Sequence, residues 1–380
     1  MINKIVVFNG SKRDFETFIN KRIDSSEKTI NFLELIQIYN ARLRPNESGV
    51  REQALSSHLN VKNCIVRSDD YGSVMPHVLS NFANVITLNY TIDYLFIQNP
   101  PKTVLSSLES RNFTQIDYQY SEYEKITREK LKNIYVDLKN NIKGQDESKK
   151  QIISGLYKLN YNEKPSVIML YGPSGVGKTE TAKSISNSLG GKLMRTQFSM
   201  MQTSEAYDYI FGSEHSKNSF ARDMLSRETD IVLIDEFDKV NPVFYNAFYE
   251  LFDEGVFSDV NYNIKMPHTV FFLTSNFLSE KEIINALGPA MFSRIGCCIK
   301  YDDIPVEMKQ EIVEKWYNEL LANLETDEVN IIKETNILNW FKENVARYNN
   351  IRLLKTKMEN AIFEKLTDVF IIQNTDRLPR

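Results

Sequence analysis

Residues 170–183 read LYGPSGVGKTETAK, and within them GPSGVGKT (172–179) fits the spacing G-x-x-x-x-G-K-[ST]. The apolar run SVIMLY (166–171) precedes it, and a helical pattern ended by Gly190-Gly191 follows. In that strand–loop–helix setting, glycines let successive backbone N–H groups turn inward onto phosphate oxygens. The helix N-terminus adds its partial positive charge. Gly172, Pro173, Ser174, Gly175, Val176, Gly177, Lys178, Thr179 and Glu180 are therefore the candidate phosphate-binding segment. Lys178 is placed to reach the β- and γ-phosphates of a nucleoside triphosphate, and the Thr179 hydroxyl to ligate Mg²⁺.

A second signal follows at TDIVLIDEFDK (229–239), an apolar strand ending in two carboxylates. An acid at the carboxyl edge of a buried parallel strand suits Mg²⁺ coordination through water, the role expected of Asp235. Its neighbour Glu236 can polarise an attacking water. A strand followed by a polar turn would look similar in isolation. After a P-loop, the pair points to a nucleoside-triphosphate site that hydrolyses.

The elements that must hold these residues are legible in outline. Strands are expected near 166–171, 192–198, 230–234, 269–275 and 297–301, forming one parallel sheet with the site at the strands' carboxyl edge. Residues 1–120 alternate apolar runs with helical stretches and read as a small α/β domain. KIVVF (4–8), NCIVRS (63–68) and NVITLNY (84–90) are strand candidates, with helices at 14–23 and 74–83. Asp69-Asp70 after a strand offers either a metal pair or a solvated turn. From Ser121 to Ile142, Tyr123, Ile126, Leu131, Ile134, Tyr135, Leu138 and Ile142 fall at helical spacing, so 121–143 reads as a linker helix. Gly144 then ends one helix, and Asp146 is a candidate cap for the next.

Composition narrows the classes. The 380 residues are 42% hydrophobic and 25% charged, ordinary for a soluble globular chain of two or three domains. No apolar run reaches membrane-span length, and the start MINKIVVFNGSKRDFE lacks signal-peptide character. The three cysteines, Cys64, Cys297 and Cys298, show no metal-ligand spacing, and a reducing cytoplasm fits. A net charge of −4 supplies no overall field to recruit nucleic acid.

Over residues 140–367 the order of motifs resembles the AAA+ ATPases, and specifically the Clp family of protein unfoldases and disaggregases. GQDESKKQI (144–152) is similar to the family segment that lies beside the adenine, and GKTETAK and DEFDK to its two Walker motifs. FFLTSNF (271–277) carries Asn276, which the resemblance makes sensor 1, on the lytic water or γ-phosphate. GPAMFSRIG (288–296) is similar to the family's P-x-F-x-x-R-I/L segment, so Arg294 is the implied arginine finger, supplied by a neighbouring subunit. YNNIRLLKTKMENAI (348–362) resembles the sensor 2 helix; Arg352 matches its arginine, while Asn350-Ile351 replaces Gly-Ala. The implied organisation is an α/β AAA+ large subdomain (144–303) with a five-stranded parallel sheet, a helical lid (304–380), and the small α/β domain in front. The implied assembly is a homo-oligomer, typically of six.

Two stretches depart from that pattern. Unfoldases grip substrate with an aromatic–small–glycine pore loop, but here IFGSEHSKNSFARDML (210–225) keeps only its opening. Ser213–Ser219 is polar, and Phe220 reads as the buried start of the next helix. The hairpin at 257–266 keeps Phe257, Tyr262 and Lys265, with Tyr262 either at the tip or covering the base. LSEKEIINAL (278–287) leaves no room for a protease-docking tripeptide loop. Two functions remain: an ATP-driven machine that remodels a protein partner, or a nucleotide switch whose assembly controls a partner bound through residues 1–120. A DNA-associated loader ATPase is disfavoured by the acidic balance.

Overall fold

The structure, a computed structural model, describes residues 2–43, 59–88, 90–111, 116–161, 164–201, 203–213 and 218–375. Its first sheet is built from β1 (Ile2–Asn9), β2 (Thr29–Asn31), β3 (Leu59–Val66), β4 (Tyr90–Gln98) and β5 (Ile116–Tyr120), all parallel in the order β2-β3-β4-β1-β5. The interior strand β1, between β4 and β5, buries Ile5, Val6, Val7 and Phe8 without alternation, as a parallel strand covered on both faces must. Helix α1 (Lys12–Asn20) packs on one face with Phe15 and Ile19. On the other face lie α2 (Phe32–Leu43), α3 (Pro76–Ser80), α4 (Phe82–Thr87) and α5 (Lys102–Glu109).

The strand expected at 84–90 is not one. Phe82, Ala83, Val85 and Ile86 are buried at helical spacing in α4, and the strand starts only at Tyr90. Its β-branched content resembles a strand, but the period of burial decides. The linker helix is also shorter than expected. The Thr127 hydroxyl accepts from the Lys130 N–H and starts α6 (Arg128–Asn141) there. Tyr123 lies instead in a segment without regular secondary structure, its ring centroid 4.4 Å from the Arg227 guanidinium. Helix α7 (Asp146–Lys158) is entered through two left-handed residues, Gly144 and Gln145, so Asp146 is its first residue and not its cap.

The second sheet contains β6 (Ser166–Tyr171), β7 (Met194–Thr196), β8 (Ile231–Ile234), β11 (Val270–Ser275) and β12 (Cys297–Lys300), parallel throughout, in the order β12-β6-β11-β8-β7. Around it pack α8 (Lys178–Ser188), α9 (Thr203–Phe211), α10 (Phe220–Leu225), α11 (Tyr245–Glu254) and α12 (Glu280–Phe292). Strands β9 (Val256–Ser258) and β10 (Asn263–Lys265) form a hairpin. Helices α13 (Val306–Leu321), α14 (Thr326–Lys333), α15 (Ile337–Asn344) and α16 (Ile351–Thr375) gather round Val313, Leu354 and Met358 in a separate apolar cluster. Among the described residues no helix is long and apolar enough to cross a membrane.

At the hairpin, Phe257 and Tyr262 are both buried, so Tyr262 covers the base; the exposed apolar side chain at the turn is Val260, 68% accessible. Phe220 is fully buried at the start of α10, as expected. Residues 214–217 of the shortened loop lie outside the described residues. The carboxyl edge of the first sheet, where an open α/β sheet usually keeps its ligand crevice, instead meets the second unit. Arg222 donates to the Ser68 carbonyl and to Asp69, each at 3.1 Å, and Lys12 reaches Asp69 at 3.0 Å. Lys102 donates from its backbone to Asn261 and from Nζ to the Asp259 carbonyl, at 2.8 and 2.6 Å, so it fastens the hairpin turn. Asp69 is thus an ion-pair partner in a domain joint, and Asp70 caps the Arg67 N–H at 2.8 Å. Both lie in a 3-10 turn (Ser68–Ser73), so the solvated-turn reading holds for the exposed Asp69 and not for the buried Asp70.

Candidate nucleotide site

Three positive-φ glycines shape the loop after β6: Gly172 (136°), Gly175 (85°) and Gly177 (103°). At Gly172 the requirement is doubled, because a Cβ there would lie 2.1 Å from the Tyr301 carbonyl oxygen. Among the described residues, the amides of Ser174 to Gly177 have no protein acceptor. A row of unspent N–H groups ahead of α8 is an anion cradle.

That loop floors a cleft of about 710 Å³, within the usual range for a small-ligand site. Its polar end holds Lys178, Thr179, Asp235, Glu236 and Asn276. Its apolar end is closed by Ile142 and Val176 from below and by Ile304, Ile312, Trp316 and Ile351 from the helical lid. Arg352 also lines the cleft, from the start of α16. Gly172 and Pro173 lie behind the lining, contributing carbonyls that accept from Lys178 Nζ at 2.6 and 2.7 Å. Lys178 also donates to Asn276 Oδ1 at 3.3 Å, which ties β11 to the loop.

Thr179 Oγ1 lies 3.4 Å from both oxygens of Asp235. Mg²⁺ is commonly held by one or two protein oxygens, with phosphates and waters completing its shell, and this donor pair fits such an ion. Asp235 is buried and takes further hydrogen bonds from Thr274 and from Arg195 Nη2, the latter at 2.6 Å. Glu236 adopts a left-handed backbone (φ 53°), and its N–H donates to Thr274 Oγ1 at 2.9 Å. Its carboxylate accepts from Ser199 at 2.6 Å and Gln197 at 2.9 Å, and lies 3.1 Å from Lys239. These contacts, Ser199 foremost, hold it below the usual carboxylate range, so it is ionised at neutral pH.

Two residues of the motifs quoted above lie outside the lining of this chain's own cleft. Arg294 does not line the cleft: its Nε bonds Asp253 at 2.9 Å, and its guanidinium sits 4.2 Å from the Tyr249 ring centroid. Gln145 is outside the cleft lining as well. It both donates to and accepts from the Asp302 backbone (2.6 and 3.1 Å), and the adjoining Asn140–Lys143 line the cleft instead. The left-handed turn at Gly144-Gln145 directs that amide away. Arg195, Gln197, Ser199 and Thr274 were not singled out from sequence. Arg195 and Gln197 stand two apart at the carboxyl end of an expected strand, and that spacing is the signal that could have found them.

Burial draws the Lys178 amine down to about 8 from 10.5, against the opposing pull of Asp238 and Asp235. The sign is that of a depressed lysine. The folded state bears the full penalty below pH 8, and is relieved as pH rises from there toward 10.5. Phosphate charge beside the amine raises its pKa again, so ATP binding at about pH 9 should take up close to one proton, and at about pH 7 almost none. Calorimetry in buffers of different ionisation enthalpy reads this directly; proton-neutral binding at the higher pH would contradict it.

The glycine loop between β6 and α8 has the form of a P-loop, and residues 163–328 match the model of the AAA domain (Cdc48 subfamily). The chain resembles the Clp family of AAA+ ATPases. It is 27% identical over 271 residues to the chaperone protein ClpB of Malacoplasma penetrans (strain HF-2), covering 63% of this chain and 38% of that protein. With the ATP-dependent Clp protease ATP-binding subunit ClpL of Staphylococcus aureus (strain USA300) the identity is 23%, over 64% of this chain and 39% of that one. The chain therefore spans less than two fifths of the length of these curated relatives. In fold it is similar to the Hsp104–ADP complex of S. cerevisiae (TM-score 0.51, 20% identity, 66% of this chain and 49% of that chain). It is also similar to Hsp104 in a closed state with ATPγS and FITC casein (TM-score 0.55, 14% identity, 98% and 89%).

Proposed function

We propose that the protein hydrolyses ATP in this cleft and, as an oligomer, couples the turnover to remodelling of a protein partner. The observation that carries the reading is the convergence of Lys178, Thr179, Asp235, Glu236, Asn276 and Arg352 on one cleft shared by sheet and lid. In it, the Ser174–Gly177 amides and Lys178 bind the phosphates. Thr179 and Asp235 would hold Mg²⁺, which would screen phosphate charge. Glu236 orients and polarises water, Asn276 fixes the γ-phosphate side, and Arg352 reports the phosphates to the lid. A lid that closes on nucleotide changes its angle to the sheet as phosphate leaves. Arg294, outside its own cleft and partly exposed, is available to a neighbouring subunit's site, and such head-to-tail sharing closes into a ring, here of six subunits.

A specific observation favours a second reading, the regulatory switch. Lys102 and Arg222 tie the N-terminal unit to the hairpin turn and to α10, so a partner held by residues 1–120 would sense nucleotide state through the joint. The two readings separate on ATP turnover measured with and without casein as an unfolded-protein probe. A remodeller is stimulated by casein and loses that stimulation in Val260→Ser, with basal turnover intact. A switch is indifferent to casein and to Val260→Ser, but Lys102→Ala with Arg222→Ala changes its nucleotide-dependent assembly. Tyr262 is unsuited to this test, because its buried ring supports the hairpin itself.

A further inference from the structure

Arg195 in β7 and Gln197, the extended residue just past its end, lie on one side beside the end of β8, with Arg195 opposite Leu233 and the Asp235 N–H donating to the Thr196 carbonyl at 2.8 Å. Arg195 Nη2 stands 2.6 Å from Asp235 Oδ2 and 3.3 Å from Gln197 Oε1. The other Asp235 oxygen accepts from Thr274. The carboxylate that fits Mg²⁺ is therefore already matched, charge for charge, by a guanidinium of the same chain. Asp235 is buried, and a buried carboxylate without a counter-charge is strongly disfavoured. Arg195 is half exposed and lines the open cleft, so it has room to withdraw.

We propose that Arg195 is a positioning residue that holds Asp235 in the metal-free site and competes with Mg²⁺ for it. It thereby sets the Mg²⁺ concentration at which ATP binds tightly. The competition follows from geometry: Thr274 occupies Oδ1 and Arg195 occupies Oδ2, so an ion or its bound water arriving from Thr179, which lies 3.4 Å from both oxygens, must take the place of the guanidinium. The inference rests on the Mg²⁺–ATP reading of the cleft, and its test separates the two. Binding of a fluorescent ATP analogue is titrated with Mg²⁺ in the parent, Arg195→Gln and Arg195→Lys.

Removing a charge-assisted hydrogen bond should lower the Mg²⁺ midpoint of Arg195→Gln by about tenfold, while Arg195→Lys, which keeps the charge, stays near the parent. Thermal unfolding supplies a second readout. Arg195→Gln should melt earlier than the parent in chelator and match it in saturating Mg²⁺ with ATP. A purely structural role would lower both. An unchanged or raised Mg²⁺ midpoint overturns the inference and leaves the nucleotide site standing. A parent that binds no ATP overturns the site, and the inference with it.

Discussion

Glu236→Gln should bind ATP as the parent does and hydrolyse it more slowly by a factor on the order of 10² to 10⁴, the usual share of a positioned base. The substitution keeps the side chain's shape, and the Ser199 hydroxyl still has an oxygen to meet at the place it now occupies, 2.6 Å away. What is lost is the anionic charge that Ser199, Lys239 and Gln197 keep ionised beside the cleft. Lys178→Ala is the complementary loss. It removes the one buried ammonium that touches both the loop carbonyls and Asn276, and nucleotide binding should vanish with it. Filter binding and single-turnover hydrolysis separate the two variants. A Glu236→Gln protein that turns over at the parent rate would remove Glu236 from the chemistry.

Arg294→Ala should lower ATP turnover by about 10³- to 10⁵-fold, the range for a guanidinium that meets developing phosphoryl charge. In one chain this side chain is held by Asp253 and Tyr249, away from the cleft that it is expected to serve. Nothing it touches explains so large a loss in cis, since a partly exposed ion pair contributes roughly 0–1 kcal/mol to stability. The variant should therefore remain folded and bind ATP while failing to hydrolyse it. Arg294→Lys should not restore the rate, because an ammonium lacks the planar fork that meets two phosphate oxygens at once. Equal losses of ATP binding and turnover would instead mark a local structural role.

The nucleotide half of the chain was legible because its strands are buried on both faces and read as unbroken apolar runs: SVIMLY, IVLI and VFFLTS. The glycine loop advertises itself by backbone demands that few other sequences meet. The first unit was harder to read. FANVIT has strand-like residues in a helix, and only the spacing of its buried side chains, which a short window blurs, distinguishes the two. Thr127 stopped the linker helix short of the Tyr123 and Ile126 positions that matched its period, a local cap overruling an amphipathic pattern. Contacts between units were out of reach. Nothing about Asp69 in sequence says that Arg222 will meet it, nor about Lys102 that it will hold a hairpin turn. The same holds for Arg195, whose meaning depends on the strand order that sets β7 beside β8.

If hydrolysis needs groups from two subunits at one cleft, mixing two inactive variants should restore it. Glu236→Gln subunits retain Arg294, and Arg294→Ala subunits retain Glu236, so each carries what the other lacks. ATP turnover should be near zero for either alone and should reappear when they are combined, peaking at intermediate ratios. Turnover that stays at the sum of the separate proteins at every ratio, with assembly into mixed oligomers confirmed, would contradict a shared site.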